Sequence, residues 1–258
     1  TNRLVGSEMC IRDSTNTAYV INGQPVNDME NGRVYWSNWM GLIDLTSSVQ
    51  IQRGLGSTSL AVPSAGGTVS VNTRAAEVDP GSGIKMSIGD NSYQKFTAFH
   101  NTGVNELGWS SSFLLGFWQG DGWRNGMQGE GTTYAFSVGY TPRGGDHEFN
   151  FSLIGAGQWH HQAYYGTQLQ DYLDYGPVQG DDFRKFNALY GDYQGEEFSI
   201  LRNYYNKPLA TFNWDWKISS RVTLATSLYG SAGRGGGTGL RGRGSYGVSP
   251  FRESYAEY

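Results

Sequence analysis

Cysteine is nearly missing: Cys10 is the only one in 258 residues. That excludes an internal disulfide framework and any multi-cysteine metal site. Long apolar runs are missing too, and none approaches the roughly 18 residues that a membrane helix requires. Charge is sparse at 16 % of residues, and 19 Lys and Arg against 23 Asp and Glu leave a net −4. That balance gives no broad nucleic-acid footprint, so no nucleic-acid partner is expected. What abounds is glycine, 38 residues or about twice ordinary usage. With it come 8 Trp, 17 Tyr and 12 Phe, an aromatic density that disordered chains lack. The length suits one large domain or two small ones. The composition is that of a mainly β protein, either a soluble aromatic-lined sandwich or a membrane β-barrel.

Residues 1–14 fit nothing that follows and hold neither the charged start nor the apolar stretch of a secretory signal. They are read as a non-native or disordered end. Residues 15–74 are compact and mixed. A short strand over Thr17–Ile21 runs into Asn22-Gly23, a pair that tolerates positive φ. Val49 and Ile51 alternate with Gln50 and Gln52, and Val69 and Val71 repeat the pattern. Between them lies an aromatic loop, Asn27 to Gly41. Residues 75–83, with Pro80 and two glycines, read as a linker.

From residue 84 onward the text becomes long alternating segments. Tyr134, Phe136, Val138 and Tyr140 oppose Ala135, Ser137 and Gly139. Phe149, Phe151, Leu153 and Trp159 oppose Glu148, Asn150 and Ser152; Phe212, Trp214, Trp216 and Ile218 oppose Thr211, Asn213, Asp215 and Lys217. Further strands are expected over about 84–90, 93–102, 108–119 and 221–232. That makes about seven strands, each near the roughly 9–11 residues that cross a bilayer when tilted. A bulky apolar face backed by a small or polar one suits a wall with lipid outside and water inside. The connections agree. The turns 103–107, 142–146 and 218–220 on one side are short, while 120–130, 160–207 and 233 onward on the other are long. Outer-membrane barrels show this asymmetry, with short periplasmic turns and long extracellular loops.

The segment from Ala18 to Arg74 resembles the second half of the plug domain of TonB-dependent outer-membrane receptors. The matching text is YVINGQPVND, then VYWSNWMGL, then LTSSVQIQRGLGSTSLAVPSAGGTVSVNTR, with Arg53-Gly54, Gly66-Gly67 and Arg74 at the family's positions. The QGDGWRNG of Gln119 to Gly126 is similar to the first long outer loop of the barrel. The wording of YWSNW and VPSAGG is closest to receptors of the Bacteroidota type. The resemblance implies a partial transmembrane antiparallel β-barrel, about seven strands of a presumed twenty-two, with a small mixed α/β plug portion at its start. It implies a fragment, because an eight-stranded barrel has room only for its own side chains and could not hold a plug. The implied location is the outer membrane of a Gram-negative bacterium. The implied partners are outer-membrane lipid, a small-molecule or chelate substrate, and TonB with its inner-membrane motor, reached through a missing amino-terminal part. No cofactor and no enzymatic role are expected.

Candidate site residues follow. The resemblance implies a plug–barrel contact at Arg53, with carboxylate partners on later strands. On the aromatic plug loop, Tyr35, Trp36 and Trp39 either touch substrate or pack the plug against the wall, since aromatic rings supply buried area as readily as recognition. The long loop 160–207 offers His160, His161, Tyr164, Tyr165, Tyr172 and Tyr175 as substrate contacts, because tyrosine gives rigid amphipathic contact at low entropic cost; an aromatic girdle is the other use of such rings. Adjacent His160 and His161 point oppositely on a strand, so no metal site is expected there. Inward polar positions such as Glu148, Asn150, Asn213, Asp215 and Lys217 face plug or water. The Gly237–Gly242 match to G-x-G-x-x-G has no helix after it and so no pyrophosphate site. The alternative function is a soluble glycan-binding or glycan-cleaving β protein. Its acid and base, Glu196 and Asp174 for instance, would need a separation of about 5–5.5 Å or 6.5–9.5 Å.

Overall fold

The structure, a computed structural model, describes residues 17–39, 42–54, 66–163 and 166–239. The expectations for residues 1–14, for the small-residue stretch 55–65, for Tyr164 and Tyr165, and for the tail from 240 lie outside them.

The amino-terminal unit holds β1 (Thr17–Ile21), β2 (Gln24–Pro25), a 3-10 turn at Trp36–Trp39, α1 (Leu42–Leu45), β3 (Ser48–Arg53) and β4 (Gly67–Asn72). Its sheet runs β2-β1-β4-β3, with β1 and β4 parallel and the other pairs antiparallel. The β1–β2 turn is tight because Asn22 (φ 49°) and Gly23 (φ 86°) both take the left-handed conformation that such two-residue turns need.

The wall is one antiparallel sheet, β5 (Gly81–Ile88), β6 (Gln94–Asn101), β7 (Trp109–Gly120), β8 (Gly129–Tyr140), β9 (His147–His161), β13 (Leu209–Ser219) and β14 (Val222–Ser231), each beside the next. Between β9 and β13 the chain makes α2 (Leu169–Tyr175), the hairpin β10 (Tyr190–Tyr193) with β11 (Glu196–Ser199), and β12 (Arg202–Asn206). β12 pairs the upper end of β9, and β13 its lower part. The break between them falls at Lys207-Pro208, where Pro208 has no N–H to give a ladder. β15 (Arg234–Gly237) extends the wall beside β12.

Alternation puts the rings outside. Phe96, Phe113, Leu115, Phe117, Phe136, Phe151, Phe212 and Leu228 are all exposed on the outer face. They do not sit between two stacked layers, so the sandwich alternative is overturned. Near the short turns the outer face carries a stacked row: Trp109 on Tyr140 at 4.4 Å, and Phe149 on Trp214 at 6.1 Å. No described helix is long and apolar enough to cross a membrane; the strands provide the wall.

The inner face is layered by register. Straight across the sheet, Phe99, Leu114, Ala135, Ile154 and Leu209 stand opposite one another. One step lower the same strands present Ser112, Ser137, Ser152 and Thr211, and lower still Ser110, Gly139, Asn150 and Asn213. Glu148 faces Asp215 near the short turns. The amino-terminal unit packs on this face. Ile21, Leu42 and Leu45 join Leu114, Ala135, Ile154 and Leu209 in one buried cluster, with Trp39, Val71 and Phe99 against it. Below the apolar band the inner face is therefore small and polar, and the amino-terminal unit sits on that band.

Candidate functional site: the seam between plug and wall

Three polar fastenings accompany the apolar band. At the lower end Arg74, just past β4, donates from Nη1 to Glu148 Oε1 at 2.8 Å, and its Nη2 lies 2.8 Å from Asp215 Oδ2. Burial works against the guanidinium's charge, but the hydrogen bond and field of Asp215 and the charge of Glu148 outweigh it, so its pKa is raised. In the middle, the Asn22 carbonyl accepts from Asn213 Nδ2 at 2.9 Å, and Asn22 Nδ2 donates to Thr73 Oγ1 at 2.8 Å. A Cβ on Gly23 would stand 3.3 Å from Ser227 Oγ, so the turn residue must be small as well as left-handed. At the upper end Asp44 of α1 holds two wall lysines, Lys85 at 3.0 Å and Lys95 at 3.2 Å. Burial raises the Asp44 pKa, yet the two lysines more than offset this and leave it below the usual carboxylate value.

Above the apolar band the wall is built for contact. Lys95, Trp118, Gly131, Gln158 and Tyr205 form one register row on the inner face. A Cβ on Gly131 would collide with Trp118 Nε1 at 2.6 Å; glycine there lets the indole lie flat on the wall. Gln158 Nε2 donates to the Tyr205 hydroxyl at 2.8 Å, and His160 meets the Tyr205 ring edge-on at 6.1 Å.

The outer loops are folded on each other. Asn187 is 1 % exposed. Its Nδ2 donates to the Asn125 carbonyl at 2.9 Å, and its N–H to Gln179 Oε1 at 3.0 Å. Gln179 Nε2 donates to the carbonyls of Asn187 and Tyr190 at 3.0 and 2.7 Å. The Tyr190 hydroxyl is pushed up to about 12 by burial and by Glu197 and Asp192.

The sequence-derived candidates fall into separate places. Tyr35 and Trp36 are exposed on the plug loop, and Trp36 meets Tyr19 edge-on at 4.9 Å. Trp39 packs on the apolar cluster. His160 lies on the inner face of β9 and His161 on the outer, as alternation requires. Tyr172 and Tyr175 flank buried Phe186 at 5.7 and 6.3 Å, forming a small core inside the outer loop. Arg53 is exposed at the end of β3 opposite Gly67, and has no ion pair among the described residues. The arginine that reaches the wall is Arg74. Its carboxylate partners stand on strands already present, at two positions that sequence alone marks only as inward and polar. Reasoning from single strands also misses Asp44, Lys85, Lys95 and Trp118. Only the α1 placement and the β5–β6–β7 register bring those together. Among the described residues no three His, Cys, Asp or Glu side chains cluster to hold a metal ion.

A folded plug fastened to the inner face of an outward-greasy antiparallel wall defines a class, the TonB-dependent outer-membrane receptor fold. Solved structures agree. The ferric-catecholate import receptor Fiu from E. coli K12, in its open form, is 16 % identical over 86 % of this chain and 32 % of that one, with a TM-score of 0.61. The ferric citrate transporter FecA, unliganded, is 14 % identical over 89 % and 33 %, at 0.61. The siderophore receptor PiuA from Acinetobacter baumannii is 13 % identical over 86 % and 30 %, at 0.57. The chain spans about a third of the length of these receptors. No protein-family model matches it, and no curated protein does. At this identity the likeness establishes the fold.

Proposed function

We propose that this chain is the second half of the plug and the first wall strands of an outer-membrane receptor. The receptor imports a bulky, scarce chelate, a ferric siderophore, with energy delivered through TonB. The carrying observation is the seam: an apolar band closed by a separately folded unit, with ionic fastenings above and below it. A simple pore wall would face water there, whereas a stopper that must leave again needs contacts that break singly. Similarity to a ferric-catecholate import receptor, a ferric citrate transporter and a siderophore receptor supports the iron chelate over haem, cobalamin or glycan. Substrate contact is assigned to Tyr35 and Trp36 from the plug loop and to Trp118, Tyr205 and His160 from the wall.

The test is uptake of radiolabelled ferric siderophores by iron-starved cells with and without the intact gene. Uptake lost on deletion, abolished by a protonophore and reduced at least fivefold by Trp118→Ala supports the reading. Unchanged uptake of every ferric chelate in the deletion strain, alongside lost growth on a glycan, overturns it.

A further inference from the structure

The wall is interrupted at one height on two neighbouring strands. β12 ends at Asn206 and β13 starts at Leu209, while β14 ends at Ser231 and β15 starts at Arg234. Neither gap is a slip in register. Arg202 pairs His161 and Leu209 pairs Ile154, an advance of seven residues on both strands. Ser231 pairs Leu209 and Arg234 pairs Asn206, an advance of three on both. Each pair of segments is thus one strand that loses its ladder at Lys207-Pro208 or Ala232-Gly233 and regains it unshifted. Pro208 is the local cause, since it has no N–H to give and holds Lys207 extended. β9 runs through this height unbroken, but its residues there are Gly155, Ala156 and Gly157. Glycine in a strand interior weakens it, so three adjacent strands are soft at one level.

Side chains sew this line shut. Gly155 is six residues above Phe149 on β9, about 16 Å up an apolar band about 25 Å tall for a tilted strand. At that depth exposed backbone groups must find partners within the protein. Ser231 Oγ donates to the Pro208 carbonyl at 2.7 Å. On the outer face the Tyr134 hydroxyl donates to Asn206 Oδ1 at 3.1 Å. Tyr134 belongs to β8, so its ring crosses over β9 to reach the end of β12. The β9 glycines make room for it: a Cβ on Gly155 would collide with the phenol ring, and one on Gly157 would stand 3.4 Å from Asn206 Cγ. Just above the line is a cleft of about 400 Å³ whose lining includes Gly157, Asn206 and Arg234. The end of β12 therefore has empty space beside it, an interrupted ladder below it and a phenol strap across it.

We propose that this line is a hinge built into the wall. The upper end of β9, β12, β15 and the folded loop 166–200 between them swing as one flap on the lower wall, and the Tyr134–Asn206 bond is the strap that limits the swing. The motion acts on the row above the apolar band. Gln158 and Tyr205, joined at 2.8 Å, stand on the flap, whereas Trp118 stands on unbroken β7, with only Gly131 between Trp118 and Gln158 in the row. Swinging the flap therefore opens or narrows the bore at that row. The inference rests on the register and bonding of the wall, and not on which chelate is imported.

The experiment uses the intact receptor in lipid nanodiscs, with two readouts. In hydrogen exchange, which reports local opening, the amides of Lys207, Leu209, Ala232 and Gly233 are expected to exchange at least tenfold faster than those of residues 211–216. Pro208→Val, which gives the strand an N–H, should slow them at least fivefold. In pulsed electron resonance, spin labels at Leu107→Cys in a short turn and Arg234→Cys on β15, both exposed positions, report the swing in a Cys10→Ser background. The spread of distances should narrow at least twofold in Pro208→Val and widen in Tyr134→Phe, which cuts the strap. Should Pro208→Val fail to fold, Pro208→Ala restores the same N–H, and Tyr134→Phe tests the strap independently. Exchange at the line no faster than across 211–216 overturns the proposal, and so does a distance spread that neither variant changes. If siderophore uptake fails its own test while the hinge signals persist, only the cargo assignment falls.

Discussion

Arg74 and Asp215 meet at 2.8 Å across the line where plug touches wall. Glu148 stands opposite Asp215 in the β9–β13 register, so without the guanidinium two carboxylates would face each other directly, a destabilising pair. Arg74→Ala is expected to weaken plug docking by about 1–2 kcal/mol, a value reduced from that of a fully buried pair because all three side chains are partly exposed. The check is limited proteolysis of the plug in detergent, with urea dependence. Adding Glu148→Gln and Asp215→Asn should recover part of the loss, since the repulsion goes with the charges.

The Asp44 fastening gives a pH signature. Its folded pKa lies below the ordinary 3.8, so the stabilisation is fully present above that value and fades as pH falls below 3.8 through the lowered folded pKa. Plug release followed between pH 5 and 2 should therefore show an acid-dependent component below 3.8 that Asp44→Asn removes. Lys85→Ala alone should have less effect than Lys95→Ala, because the Lys85 side chain is 57 % exposed and that of Lys95 26 %, and exposed pairs contribute little.

Leu114 is wholly buried in the apolar band. Leu114→Ala is expected to cost about 2–5 kcal/mol, the range for a core leucine that leaves a cavity. Phe113→Ala, one residue away on the outer face, should cost far less in plug docking. Denaturant unfolding in detergent, read by plug protection and by strand signal separately, distinguishes the two.

Asn187→Ala removes the amide that ties two outer loops together and strands the Asn125 carbonyl and the Leu189 N–H. Buried groups left unpaired cost about 1–3 kcal/mol each. The expected outcome is faster hydrogen exchange and protease cutting within 166–200, with the wall strands unchanged.

The wall was legible in the sequence because its period is two and its turns are short: the seven expected strands correspond to β5 to β9, β13 and β14. The outward rings were legible for the same reason, as was the split of His160 and His161 between faces. The apolar band was not. On the inward face of their own strands, Leu114, Ile154 and Leu209 have small and polar neighbours below them, and only cross-strand register aligns them at one height. The ionic fastenings were half legible: Glu148 and Asp215 read as inward polar positions, but their cation comes from a segment far away in sequence. The motif pointed to Arg53, whose strand end is exposed, while Arg74 lies where the chain crosses from plug to wall. The loop core around Phe186 and Asn187 was hidden because amide networks have no sequence period.

The heights of the fastenings have a mechanical consequence. Arg74 is at the narrow-turn end, the Asn22 turn partway up and Asp44 near the top, with grease only between the last two. Under the proposed import function, a load drawn from below meets the salt link first, then the amide turn, then the apolar band and last the Asp44 pair. On that reading the ties part in order, one at a time, instead of giving way all at once.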